Sequence, residues 1–465
     1  MWNWHKIILA ATFLGIACGL FLSLPAPAQR PAGLEAPLPM GAADYAAMFE
    51  QRLASGGTLR LEKGDYPLSR TVKIDLEKTG YAAISGDGTA RIIMQAAGPA
   101  FFIRGTHTKG TADPTSVAAA VWERERTPTI VGVEIIGRHQ EADAITADGT
   151  MQLTLERVSM RNCRHGLQLV NRNRNVLINA CHIYDNSGVG IYLAHVNLHQ
   201  INIAASHISY CKQGGVVVRG GDVRNIQISG CDIESNMAAE TPATANVLLD
   251  STNGSVGEVA ITGCTIQHNN KGPDSANIRI LGRGDGGAKI GPTREGHVTI
   301  SNNVLSDVQH NIDLEHCRGV TITGNTFWMG YEYNLRAVHC SQLVLAGNVL
   351  ERNPRYDYGT SKETHNAVLF RDCEDCTISS LHAHRIHGVE RAVELKNCRR
   401  FNLQGCTILD CAGVALSLEN VTESLVTGCL IRNSEAEKGL FSVVAKGCQG
   451  TEFFGNQFGN PTQLP

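Results

Sequence analysis

One short phrase recurs along most of this chain, and its recurrence constrains the fold more than any other feature. It alternates apolar and polar residues, passes through glycine or a polar residue, reaches cysteine or asparagine, and closes on a polar–apolar pair. Clear copies are Ile226-Gln-Ile-Ser-Gly-Cys231, Val259-Ala-Ile-Thr-Gly-Cys264, Val298-Thr-Ile-Ser-Asn-Asn303, Val320-Thr-Ile-Thr-Gly-Asn325, Leu343-Val-Leu-Ala-Gly-Asn348 and Phe401-Asn-Leu-Gln-Gly-Cys406. Further copies end at Cys181, Cys429 and Asn456, and degenerate ones fall at Val158, Ser206 and Leu381. The steps between the Cys/Asn positions are mostly 22 to 27 residues, and steps of 33 to 39 mark copies with insertions. A second phrase precedes several copies: Asn311 to Cys317, Asn334 to Cys340, Asn366 to Cys373 and Ala392 to Cys398.

Each copy therefore holds three short alternating runs separated by tight turns, too short for helices and suited to strands. Such a unit cannot bury its apolar side alone, so neighbouring copies must stack, at about 4.8 Å per layer. The 18% of charged residues and the balance of 41 basic against 44 acidic residues exclude a nucleic-acid binder, which needs a basic footprint. At 43% hydrophobic residues the chain is not disordered either.

The pattern resembles the right-handed parallel β-helix, or pectin lyase-like, superfamily. The Gly-Asn or Gly-Cys turn matches that family's buried ladder turn between its second and third strands. The stretch from Gly56 to Tyr66, followed by Ile84-Ser-Gly-Asp-Gly88, resembles its opening coils. The implied fold is an all-β solenoid of about 12 coils spanning residues 56–465. Before it, in residues 29–55, a linker leads to Tyr45, Met48, Phe49 and Leu53 on one helical stripe, suited to capping the open end of the stack. Such a fold hosts lyases, hydrolases, epimerases and non-catalytic scaffolds, so it does not by itself fix function.

Residues 1–28 read as a secretory signal. His5 and Lys6 precede an uncharged run from Ile7 to Leu24, and Ala26-Pro27-Ala28 offers a small-x-small cleavage site. An uncleaved anchor is the alternative, because the run sits at the lower limit of a bilayer span. The mature protein is expected to be exported, periplasmic or extracellular, monomeric and without a membrane span.

Export makes the 15 cysteines notable. Cys18 belongs to the signal, and an even number in an exported protein suggests disulfides. Their positions argue otherwise, because they alternate with asparagine at the ladder turns. Neighbours in a stacked row point the same way about 4.8 Å apart, whereas a disulfide needs converging Cβ atoms about 3.8 Å apart. Free, buried thiols are the expectation. Cys373-Glu-Asp-Cys376 falls at a turn of the repeat with no second such pair, which argues against zinc or redox chemistry.

The resemblance implies that polysaccharide binds along the outer face of the first strand. Self-alignment points Ile312 and Leu314 inward and Asp313 and Glu315 outward. The same register places Arg279 in the coil before and Arg336 in the coil after, then Leu369 with Arg371, then Glu394 with Lys396. Equivalent positions toward the N-terminal end (Gln168, Val217, Leu248) and the C-terminal end (Ser417, Val444) are bland. The longest insertions, Gly282 to Gly296 and Glu351 to His365, flank the charged coils, the second carrying Arg352, Arg355, Tyr356, Asp357 and Tyr358. Tyr331 and Tyr333, placed in the turn before the Arg336 strand, suit stacking on sugar faces.

Two mechanisms fit these residues. Asp313 and Glu315 could serve as the paired carboxylates of a glycosidase, which stand about 5 to 9.5 Å apart, although the arginines lower both pKa values and disfavour a general acid. Alternatively Arg279, Arg336 or Arg371 neutralises a uronate and Lys396, His339 or a tyrosine abstracts the α-proton. Lyases of this fold often bind calcium through such carboxylates, so calcium is the one cofactor the resemblance admits. Against both stands a plain reading: acid beside arginine on stacked strands is also what a solvated sheet face looks like. The catalytic motifs of polygalacturonases and alginate epimerases are absent, and Arg352-Asn-Pro-Arg355 matches the Arg-x-Pro of pectate lyases without their second arginine. A non-catalytic scaffold or glycan binder is the alternative. His316 and His339 fall in adjacent coils, and His382, His384 and His387 cluster after a strand. The Gly-rich run from Gly282 to Gly287 has no following helix and reads as a loop.

Overall fold

The computed structural model describes residues 41–111, 113–283, 295–352, 361–433, 441–459 and 461–464. The signal at 1–28, most of the linker, the end of the Gly282–Gly287 run, and Arg355, Tyr356, Asp357 and Tyr358 lie outside them.

Three-residue to six-residue strands dominate because apolar residues alternate with polar ones and a left-handed residue ends each run. Gly230, Gly263, Gly324, Gly347, Gly405 and Gly428 take φ near +60° at the same turn, a conformation glycine adopts without strain. The chain then turns and begins the next face of the coil. All named strand pairings are parallel, each strand bonding to its counterpart one coil away. Among the described residues 39 strands, at three faces per coil, make about 13 coils, close to the expected 12. The solenoid expected from the repeat is what the chain forms.

Inward rows fill the centre. Ile278 and Ile280 stack on Ile312 and Leu314, then on Leu335 and Ala337, all fully or almost fully buried. Ile183, Ile208, Ile233 and Ile266 form a second row on the third-strand face. Stacked identical rows are efficient burial, at roughly 1.5–3 kcal/mol for each large aliphatic side chain removed from water.

Two polar ladders satisfy the turns inside this core. Asn303 Nδ2 donates to Asn325 Oδ1 and Asn325 Nδ2 to Asn348 Oδ1, each at 3.0 Å. Thiols and hydroxyls continue the same row: the Cys181 amide donates to Ser206 Oγ at 3.1 Å, and the Cys231 amide to Cys264 Sγ at 3.4 Å. At the turn before the first strand, Asn246, Asn277, Asn311 and Asn334 form a second ladder through amide bonds of 2.7–2.8 Å. The fourteen described cysteines are all free, and only Cys448 is not fully buried. They are rungs, as their spacing implies. Desolvation pushes the thiols of Cys163 up to about 12 and Cys211 up to about 11.

At the N-terminal end the helix Ala46–Leu53 buries Ala46, Phe49 and Leu53. Tyr45 meets Tyr66 edge-on at 4.9 Å, and Phe49 stacks on Phe101 at 6.4 Å. The apolar stripe thus packs on the first coils. Among the described residues no helix is long and apolar enough to cross a membrane.

Candidate functional site

The first-strand face carries the charged row in the expected register. Leu248 pairs with Arg279, Arg279 with Asp313, Asp313 with Arg336, Arg336 with Leu369 and Leu369 with Glu394. Two residues along, Glu315, Val338, Arg371, Lys396 and Glu419 form the parallel row.

Burial within the first row departs from the plain reading of a solvated sheet face. Asp313 is 2% exposed and Arg279 4%. Asp313 Oδ2 accepts from Arg279 Nε at 2.8 Å, and its Oδ1 accepts from Arg336 Nη1 at 2.6 Å. Both carboxylate oxygens are therefore held by arginines of the two adjacent coils. Arg279 Nη2 lies 2.9 Å from Asp274 Oδ2, and Asp274 Oδ1 lies 2.8 Å from His310 Nε2. The His310 ring stacks on Tyr333 at 5.7 Å. The cluster thus joins two arginines, two aspartates, a histidine and a tyrosine.

This geometry gives each member a different capacity. Asp313 cannot reach a glycosidic bond as an acid or attack a sugar while both oxygens are committed. Glu315 is 40% exposed at its side chain and has His316 at 3.8 Å. The expected Asp313/Glu315 carboxylate pair is thus split into one clamped and one open carboxylate. Arg336 is the cation that reaches solvent, at 25% side-chain exposure. Burial works against its charge, but Asp313, with Glu315 and Asp274 nearby, holds its pKa above the ordinary value. Asp274 is pulled up by burial, and the His310 bond and the Arg279 and Arg336 charges more than offset that, so its pKa ends below the usual carboxylate value. Burial raises the Tyr333 pKa, so its hydroxyl stays protonated at neutral pH.

The other sequence candidates are distributed around this cluster. Tyr331 and Tyr333 belong to the strand Gly330–Val338 itself rather than to a turn before it. Glu394 bonds Arg391 at 2.7 Å and Lys396 bonds Glu419 at 2.8 Å. Its ion pair with Glu419 commits Lys396 to holding the sheet face. Arg371 and His339 both approach Asp372, at 3.9 Å, and the His339 ring stacks on His316 at 5.0 Å. His384 faces Asp410 at 3.6 Å, and His382 is exposed. Arg352 bonds the Arg385 and Ser361 carbonyls, at 3.2 and 2.9 Å, so it braces the connection back to the next first strand.

Asp274 and His310 escaped sequence reasoning. His310 sits one residue before the quoted phrase at Asn311, in register with Tyr333, so the signal was present. Asp274 lies in a connection outside the repeat, and no periodicity assigns it a neighbour.

Two family models match. That of a right-handed β-helix region covers residues 115–266, and that of the periplasmic copper-binding protein NosD covers residues 285–464. The parallel coils and these matches, each over less than half of the chain, support the right-handed parallel β-helix superfamily. Solved structures with similar winding include the A-module of an Azotobacter vinelandii mannuronan C-5 epimerase, 13% identical over 92% of this chain and 96% of that one, with a TM-score of 0.33. A tailspike of Escherichia coli bacteriophage HK620, in complex with a pentasaccharide, is 13% identical over 91% and 76%, with a TM-score of 0.48. Gene product 12 of bacteriophage phi29 is 13% identical over 89% and 55%, with a TM-score of 0.49. A search of curated protein sequences returns no match. At such identities the functional reading has to come from the residues of this chain.

Proposed function

We propose that this is an exported glycan-binding β-helix whose first-strand face, over the coils carrying Arg279, Asp313 and Arg336, takes a carboxylate-bearing polysaccharide. One observation carries the reading: Arg336 is held charged by Asp313 yet remains partly exposed, on a strand that also presents the Tyr331 and Tyr333 rings. A guanidinium that keeps one edge on Asp313 has donors left for a uronate carboxylate. Rings on the same strand suit the apolar face of a sugar. Arg371, 43% exposed, extends the positive row by one coil beyond Leu369.

Polysaccharide lyase chemistry is the second reading, favoured by Arg336 and Tyr333 lying on one strand. Arg336 would neutralise the uronate and Tyr333 or another group would take the α-proton. The raised Tyr333 pKa works against that base, and the clamped Asp313 works against a glycosidase pair, so binding stands first. Calcium held by Glu315 and neighbouring acids belongs to the same second reading.

A panel of uronate-containing and neutral polysaccharides tests both. Binding to the acidic members without new reducing ends or unsaturated-uronide absorbance supports the binder. Turnover establishes the enzyme, and absence of binding to every acidic glycan sinks the proposal.

A further inference from the structure

A second cluster lies on the third-strand face, outside the charged coils. The strands His182–Tyr184, His207–Ser209 and Asp232–Glu234 stack in register, each with a central isoleucine buried and the two flanking side chains outward. The 25-residue step between copies is what brings His182, His207 and Asp232 into one column. Glu234 lies two residues along the same face, so both carboxylates flank the His207 ring.

We propose that His207, Asp232 and Glu234 form a binding site for a divalent transition-metal ion of the zinc class. His207 Nε2 stands 3.8 Å from Asp232 Oδ2 and 3.8 Å from Glu234 Oε1, and the ligand atoms of all three lie within 4.8 Å of one another. Ligands about 2.0–2.1 Å from a tetrahedral ion lie roughly 3.3 Å apart, so the two His207–carboxylate pairs must close by about 0.5 Å and the carboxylate pair by at most about 1.5 Å, which side-chain torsions can supply. One imidazole with two carboxylates is a donor set for zinc or its neighbours rather than for calcium, which takes oxygen alone.

Three further observations point to an ion there. Asp232 Oδ1 is shielded from solvent yet accepts no hydrogen bond. Glu234 is oriented from outside the trio, with Tyr210 donating to Oε1 at 3.2 Å and Gln267 Nε2 donating to Oε2 at 3.3 Å. Such outer partners fix a ligand's direction. Beside the trio lies a depression of about 660 Å³ lined by His182, Tyr184, Asp185, Ser209 and Tyr210, which leaves room for water or a fourth ligand. The His182 ring, 5.9 Å from that of His207, is the nearest imidazole in the column.

Calorimetric titration of the full chain with Zn²⁺ and with Ca²⁺ tests the site, with circular dichroism confirming that each variant is folded. The expected result is one Zn²⁺ per chain, no Ca²⁺ binding there, and an affinity at least ten-fold weaker in His207→Ala and in Glu234→Gln. The His316→Ala/His339→Ala double variant should bind as the unaltered protein does. Should His207→Ala unfold, Asp232→Asn reads the same loss. Zinc affinity untouched by these changes, calcium in place of zinc, or no zinc binding at all would overturn the proposal.

Discussion

Replacing Asp313 by alanine is the most informative single perturbation of the charged face. The substitution removes the one carboxylate that holds both Arg279 and Arg336. Arg279 is 4% exposed and has Asp274 as its remaining charged partner, so its guanidinium keeps half of its compensation in a site closed to water. Removing one partner of a buried ion pair typically costs about 3–5 kcal/mol, against about 0–1 kcal/mol for an exposed pair. With Asp274 still in place, the lower end applies, and Asp313→Ala should destabilise by about 3 kcal/mol. Glu315→Ala, two residues along the strand and 40% exposed, should change stability by less than about 0.5 kcal/mol. Replacing the whole triad (Arg279→Met, Asp313→Leu, Arg336→Met) removes the charges together and should recover much of the loss, because apolar packing often matches a buried ion cluster. Urea unfolding followed by circular dichroism, at near-neutral pH, measures all three. Equal and small losses for Asp313→Ala and Glu315→Ala would refute the claim that this cluster is desolvated.

Other outcomes follow from the same geometry. Asn325→Ala leaves the Asn303 amide and side chain and the Ile300 carbonyl without their partner, at a cost of about 2–4 kcal/mol, and Asn325→Cys, which copies what other coils carry, should lose less by the same urea assay. Thiol titration of the folded protein at pH 8 should detect Cys448 and few others, with the buried cysteines reacting only in denaturant; a native count near the full number would contradict the free, buried ladder. Because the folded Asp274 pKa is depressed, its stabilisation is present above the unfolded value, near 3.8, and is lost as pH falls through the lower folded value. The stability gap between the unaltered protein and Asp274→Asn should therefore hold at neutral pH and narrow below about pH 4.

Periodicity made the coil, the inward rows and the outward register legible, because a period of two fixes which side chains share a face and a period near 25 fixes which coils stack. The row from Arg279 through Asp313 to Arg336 came from that arithmetic alone. Its burial did not, since depth depends on connections such as the one carrying Asp274, where no repeat assigns a neighbour. The ladder of Asn246, Asn277, Asn311 and Asn334 was half visible: Asn311 and Asn334 open the quoted phrase, while the steps to Asn246 and Asn277 cross insertions. The trio of His207, Asp232 and Glu234 obeys the same spacing but lies on the third-strand face, away from the row in which charge first drew notice.

The most direct test of a glycan site centred on Arg336 is calorimetry with an acidic polysaccharide, comparing the unaltered chain with Arg336→Gln and with Arg318→Gln, an exposed arginine on the second-strand face. Loss of one guanidinium–carboxylate contact of about 1.5–3 kcal/mol should weaken binding roughly ten-fold or more in Arg336→Gln and leave Arg318→Gln unchanged. Equal affinity in all three proteins would contradict the assignment of the site to this face.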